Sequence, residues 1–354
     1  MKKNIIKIVC FVVILAIGTS IINYGLSWKD SLGIRQFYAT KNEPIDVMLF
    51  GSSHAEYGVN TGYLWDDYGI AAYSMTEGGQ NLGTTYYYMV EALKYTKPKV
   101  MIVELTFTAP GWELAGLGDG NIYRNSIHMR WSKNYLDNMN YLIDVATNEV
   151  GAQEANKLRK NILCKFPVYH TRYKELSLED FKPINKLRGR YEGSPRVTPQ
   201  EVPQAIYNTD RAPGGYDDIQ RKEYVDAMID LCAKNDVQLV FWVAPFVVTD
   251  EDKMVYNTVG DYCDEKQIPW INLCDAQVQE EIEFDYATDM IENNHVNFDG
   301  CRKVTDYFGD YLTKECGVES HTGDPDYATF AGIAKYWDDW EVDLRAEYEK
   351  EMAN

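Results

Sequence analysis

The sequence predicts an α/β protein built on a parallel sheet. Short apolar runs alternate with amphipathic helical segments, the alternation returns in both halves of the chain, and 354 residues suffice for one large α/β domain with insertions or for two small ones. Hydrophobic residues make up 45% and charged residues 25% of the chain, an ordinary globular composition.

The first element is of another kind. Residues 1–7 carry Lys2, Lys3 and Lys7 and no acid, and residues 8–26 follow without a charge. About 20 apolar residues span a bilayer as a helix. Lysines before the run and Lys29-Asp30 after it place the amino terminus in the cytoplasm and the remainder outside. Residues 1–28 are therefore expected to be a membrane anchor, with a cleaved signal peptide as the rival reading.

The sheet begins with Ile45-Asp-Val-Met-Leu-Phe50, which reads as a strand ending in Gly51-Ser52-Ser53-His54. Residues 70–75 form the second strand. Leu82, Tyr86, Met89 and Leu93 then share one helix face by their 3- and 4-residue steps. Pro98 precedes a third strand at 100–105. After a helix marked by Tyr224, Ala227, Met228, Leu231 and Cys232 come a strand at 239–243, a helix through Val255, Val259 and Cys263, and a short strand at 268–273. A last helix, through Val304, Phe308 and Leu312, can be capped by Asn297 or Asp299. The α/β domain is thus expected over 40–106 and 216–316. Residues 107–215 form an insertion whose middle reads as polar helices capping the sheet, and 317–354 an acidic helical tail.

Open parallel sheets bind ligands at the carboxyl ends of their strands. Gly51-Ser52-Ser53-His54 and Glu292-Asn-Asn-His295 both fall at such an edge. A serine hydroxyl needs a neighbouring base that is itself oriented by an acid. Ser53 is the candidate nucleophile, His295 its base and Glu292 the orienting acid, with Asp289 and Asp299 as nearby competitors. The backbone N–H groups of Ser53, Gly79 and Gln80 are the candidate oxyanion hole, and His54 a substrate contact. Glu292, His295 and Asp299 could also hold a metal ion, but the triad is the preferred reading and no metal or other cofactor is expected.

These two blocks resemble those of the SGNH/GDSL-like hydrolases. Gly51-Ser52-Ser53-His54 is similar to the block that carries the nucleophilic serine, Glu292-Asn-Asn-His295-Val-Asn297 to the terminal D-x-x-H block with Glu for Asp, and Gly79 to the oxyanion glycine of the second block. Where the family has a third-block Asn, this chain has Glu104-Leu-Thr-Phe. The resemblance implies a three-layer α/β/α sandwich with a flavodoxin-like sheet and an extracytoplasmic esterase or O-acyltransferase. The single anchor resembles that of the teichoic acid D-alanine transfer proteins and alginate-type O-acetyltransferases, which implies an acylated cell-envelope glycan or polymer as substrate and a membrane-bound acyl-transfer partner. The absent Asn favours the alternative, a non-catalytic relative that binds glycan or such a partner.

The net charge of −19 argues against a nucleic-acid partner. Against that background residues 157–196 are a basic island. It is read as a solvated face docking on the acidic domain, or as a grip on an anionic envelope polymer or lipid headgroups, with Arg172, Tyr173 and Lys174 as substrate-binding residues. The seven cysteines include no CxxC pair and suggest no disulfide framework.

Overall fold

The computed structural model describes residues 2–27, 32–115, 117, 120–182 and 187–353. The five expected strands are present: β1 (Val47–Gly51), β2 (Ala72–Thr76), β3 (Val100–Glu104), β4 (Gln238–Val243) and β5 (Trp270–Asn272). They form one sheet in the order β2-β1-β3-β4-β5, every neighbouring pair parallel. Because Val47 pairs with both Ala72 and Val100, β1 is an interior strand and its carboxyl end opens between β2 and β3. Strand order reverses there, and that is where open sheets form ligand crevices.

Both faces of the sheet are buried, so the strands are near-continuous apolar runs rather than alternating ones. Met48, Phe50, Met101, Val103 and Phe241 point into one cluster, shared with the helices Leu82–Ala92, Lys222–Asn235 and Asp250–Lys266. Val47, Leu49, Val100, Ile102 and Trp242 point into the other, against Leu64, Val304, Phe308 and Leu312 of the helices Thr61–Tyr68 and Phe298–Lys314. Helix starts follow their capping chemistry. Asn60 accepts from Gly62 N–H, Thr249 and Asp252 form a reciprocal capping box, and Asn297, rather than Asp299, caps the last core helix by accepting from Asp299 and Gly300 N–H.

The insertion is not only a cap. Helix Lys133–Val150 buries Tyr135, Met139, Leu142 and Val145 in the main core, packing on helix Leu82–Ala92, and Thr84 Oγ1 donates to Asn138 Oδ1 at 2.9 Å. Its apolar residues recur every three or four positions within a polar composition, so average polarity hides the buried stripe. Further on, Arg188 O accepts from Ser74 N–H at 2.9 Å and Arg190 N–H donates to Ser74 O at 3.1 Å. The insertion thereby covers the free edge of β2. Arg188 of the basic island is buried and Arg190 partly buried, both in ion pairs, Arg188 with Glu43 and Arg190 with Glu56, Glu77 and Glu192. Part of the island is therefore a docking face.

The last helix, Thr329–Met352, packs on helix Thr61–Tyr68 through Phe330, Ala334 and Trp337, and Phe330 stacks on Trp65 at 5.0 Å. At the other end of the chain, helix Lys2–Leu26 is long and apolar enough over Asn4–Leu26 to cross a membrane, with mean hydropathy 2.7.

Candidate active site

The site is built on the turn that leaves β1. Gly51 has φ +148°, and a Cβ there would stand 2.6 Å from Glu104 Cβ and 3.0 Å from Ala55 Cβ. Only glycine permits this approach between β1 and β3. Ser52 then caps the short helix Ser53–Gly58, its Oγ accepting from His54 N–H at 3.3 Å while donating to Glu104 Oε2 at 2.9 Å. Ser52 N–H donates to the same oxygen at 3.4 Å, and Thr106 N–H to Glu104 Oε1 at 2.6 Å. Burial raises the Glu104 carboxyl above its ordinary value, opposed by these bonds from Thr106 and Ser52. Glu104 thus clamps the turn that presents Ser53, a role for which an acid with two acceptor oxygens suits and an Asn does not.

Ser53 itself is half-buried at the first position of the helix, where backbone N–H groups have no intrahelical acceptor. It lines a cavity of about 190 Å³ together with His54, Gly78, Gly79, Phe107, Trp112, Asn121, Asn294 and His295. The two distant motif blocks therefore meet at one opening on the sheet's carboxyl edge.

His295 sits in a loop closed by the antiparallel bridge between Met290 and Val296 and by Ile291 N–H donating to His295 O at 2.9 Å. Its Nδ1 is hydrogen-bonded to Glu292 Oε1, and Glu292 Oε2 accepts from Asn294 N–H at 3.2 Å. Burial pushes the Glu292 carboxyl up, but the bonds and charge of His295 and the Asn294 N–H outweigh it and hold the carboxyl below its ordinary value. The competing acids are engaged elsewhere: Asp289 pairs with Lys303 at 2.7 Å and Asp299 with Arg345 at 2.8 Å. The acid at the imidazole is Glu292. With Nδ1–H directed to the carboxylate, Nε2 is the basic nitrogen; it is buried and has no hydrogen-bond partner.

A second imidazole lies beside it. The His54 ring is 5.4 Å from that of His295 and in edge contact with Trp112 at 4.9 Å and Phe246 at 5.2 Å. Its Nδ1 is 3.2 Å from Ser52 Oγ. Burial, and then the neighbouring His295, drive its pKa well below the ordinary imidazole value, so His54 stays neutral.

Of the expected oxyanion donors, Ser53 and Gly79 border the cavity, Gly79 in a left-handed turn at φ +64°. Gln80 does not line it. Its backbone N–H donates to Glu77 O at 3.0 Å, closing that turn, and its side-chain amide to Thr85 Oγ1 at 3.0 Å. Asn121 and Trp112, which sequence reasoning missed, stand on the short helices Asn121–Arg124 and Trp112–Ala115 at the start of the insertion; no local pattern marks them, because only the fold brings these two side chains to the cavity that Ser53 lines. Trp112 is oriented by its indole N–H, which donates to Asp252 Oδ1 at 3.3 Å.

The three basic-island residues expected to bind substrate lie outside the cavity. Arg172 donates to Leu26 O at 3.0 Å and Ser27 O at 2.8 Å and pairs with Asp180 at 2.7 Å, so it holds the end of the N-terminal helix. Tyr173 and Lys174 are exposed beside it. Among the described residues no group of three or more His, Cys, Asp or Glu converges as metal ligands would, and Asp299 is turned to Arg345 rather than to His295. A larger surface depression, about 550 Å³ between Tyr68, Tyr307 and Tyr311, is lined by no serine, cysteine or histidine.

Among known proteins, no family model matches this chain and no curated protein matches it.

Proposed function

We propose that the chain is a membrane-anchored, extracytoplasmic serine acyl-ester hydrolase or O-acyltransferase of SGNH type, acting on an acylated cell-envelope glycan or polymer. The observation that carries the reading is that Ser53 and the Glu292-bonded His295, 242 positions apart by their numbers (295 − 53), line one cavity at the switch point of the sheet. The strand order and the helices on both faces support a flavodoxin-like three-layer sandwich.

In this mechanism His295 Nε2 takes the Ser53 hydroxyl proton as Oγ attacks the acyl carbonyl carbon. The oxyanion is held by the backbone N–H groups of Ser53 and Gly79, and the Asn121 amide supplies the donor that Glu104, committed to the turn, does not. Collapse expels the first alcohol, which receives the proton from His295. Water or a sugar hydroxyl then attacks the acyl-enzyme, giving its proton through His295 to the departing Ser53 Oγ. His295 Nε2 has no hydrogen-bond partner in the structure, so this mechanism requires the Ser53–His295 bond to form when substrate binds, as catalytic hydrogen bonds often do.

Retention of the N-terminal helix as an anchor is supported by its last turn, which is packed on the insertion through Arg172 and Tyr169; a segment removed on export has no use for such contacts. The test is p-nitrophenyl acetate hydrolysis by the full chain in detergent, wild type against Ser53→Ala. A wild-type rate at least about tenfold above the variant supports the enzyme. Equal rates reject it and leave the second reading, a glycan-binding relative without catalysis, which the Glu104 substitution favours.

A further inference from the structure

The N-terminal helix changes surroundings near its carboxyl end. Side chains from Asn4 to Asn23 are almost all exposed, whereas Gly25 and Leu26 are buried. At 1.5 Å per residue that exposed stretch is about 30 Å long, the thickness of a hydrocarbon core. The turn from Tyr24 to Ser27 therefore emerges at the headgroup level.

One segment of the insertion is fastened to that turn. Arg172 places its charge on the last carbonyls of the helix, where a cation is favoured. The Phe181 ring packs on Gly25 so closely that a Cβ there would be 2.5 Å from Phe181 Cε1. Tyr24 donates its hydroxyl to Lys182 O at 2.6 Å, and Tyr169 donates to Asn23 Oδ1 at 3.0 Å. The same segment turns apolar and amphipathic groups outward: Leu178 is 85% exposed and Tyr173 64%, with the Lys174 ammonium 5.9 Å from the Tyr173 ring centroid. An exposed Leu, a Tyr and a Lys beside the exit of an apolar helix are the composition of a membrane interface.

We propose that residues 173–182 form a foot that rests in the anionic headgroup layer of the membrane: Leu178 enters the boundary of the acyl chains, Tyr173 lies among the headgroups, and Lys174 pairs with anionic lipid. The foot rests on the reading that Lys2–Leu26 stays in the bilayer. It gives the domain a second attachment, so that its orientation over the membrane is set rather than free, and it reassigns Tyr173 and Lys174 from polymer to lipid.

The experiment uses the full chain in nanodiscs of phosphatidylcholine and phosphatidylglycerol. An environment-sensitive fluorophore is attached through Leu178→Cys, Ile14→Cys or Val342→Cys, with Cys10, Cys164 and Cys316 replaced by Ser and the four buried cysteines left in place. Nitroxides near the head or the tail of the acyl chains serve as quenchers. Ile14 should be quenched by the deep nitroxide. Leu178 should be quenched by the shallow one at least about threefold more than Val342, an exposed position on the last helix, and Lys174→Glu should reduce that quenching. Deep quenching at Ile14 with Leu178 no different from Val342 overturns the foot alone. An unquenched Ile14 overturns the anchor and the foot with it.

Discussion

Truncating Glu292 to Ala probes the acid of the proposed triad. The side chain has two tasks in the structure: its Oε1 fixes the His295 tautomer through Nδ1, and its charge faces the imidazolium that forms when Nε2 takes the serine proton. A hydrogen bond to a charged group contributes about 1.5 to 3 kcal/mol net. The carboxyl side chain is 46% exposed and the imidazole 23%, so water replaces part of the lost interaction, which selects the lower half of that range. At 1.36 kcal/mol per factor of ten, Glu292→Ala should lower kcat about 10- to 50-fold, well short of the loss in Ser53→Ala. Glu292→Gln keeps an oxygen that can accept from Nδ1 but removes the charge, and should lose about half as much on a logarithmic scale. Initial rates on p-nitrophenyl acetate near neutral pH, with circular dichroism to verify folding, provide the measurement. A folded Glu292→Ala retaining more than half of the wild-type kcat, while Ser53→Ala is inactive, would refute the assignment. So would an equally large kcat loss in Asp289→Asn or Asp299→Asn, whose carboxylates bind Lys303 and Arg345.

Three further outcomes follow from the same geometry. Asn121→Ala should lower kcat about 100-fold, the scale for one oxyanion donor, with KM and melting temperature nearly unchanged; a parallel fall in melting temperature would make Asn121 structural. Gly51→Ala forces a side chain into φ +148° and onto Glu104, and should cost about 2 to 6 kcal/mol of stability from backbone strain and overpacking, read by denaturant titration; an unchanged midpoint would contradict the packing at the turn. Asp66 has its pKa raised to about 6, by burial and then by its hydrogen bond with Asp338 of the last helix. The folded state therefore holds that proton where the unfolded chain has released it. The stabilisation is complete at low pH and is lost as pH rises from about 4 to 6, so proteolysis of helix Thr329–Met352 should quicken across that window in the wild type and not in Asp66→Asn.

Much of this protein is legible without coordinates, and the reason is local. Strands buried on both faces read as near-continuous apolar runs, so the runs 45–50, 70–75 and 100–105 locate, to within two residues at each end, the strands Val47–Gly51, Ala72–Thr76 and Val100–Glu104. The proposed nucleophile sits on a strand-to-helix turn whose trace lies in neighbouring residues, Gly51 to His54, and the hydrogen-bonded pair of one loop leaves its own in Glu292 and His295. Where the local signal was weak, the reading was coarser. The stripe of helix Lys133–Val150 is diluted by polar residues, and the expectation of a polar cap missed its place in the core.

What the sequence by itself determined was the alternation of strands and helices, the apolar first helix and the two loops that carry Ser53 and His295. Only the tertiary structure decided which of three acids serves the imidazole, that Glu104 braces the turn instead of facing the cavity, that Gln80 is spent inside its own turn while Asn121 arrives from the insertion, and that Arg172 grips the end of the first helix. Periodicity and adjacency are set by the covalent chain. Partners are chosen by which distant groups burial forces together, and a buried charge or donor takes whichever complement the packing brings within reach.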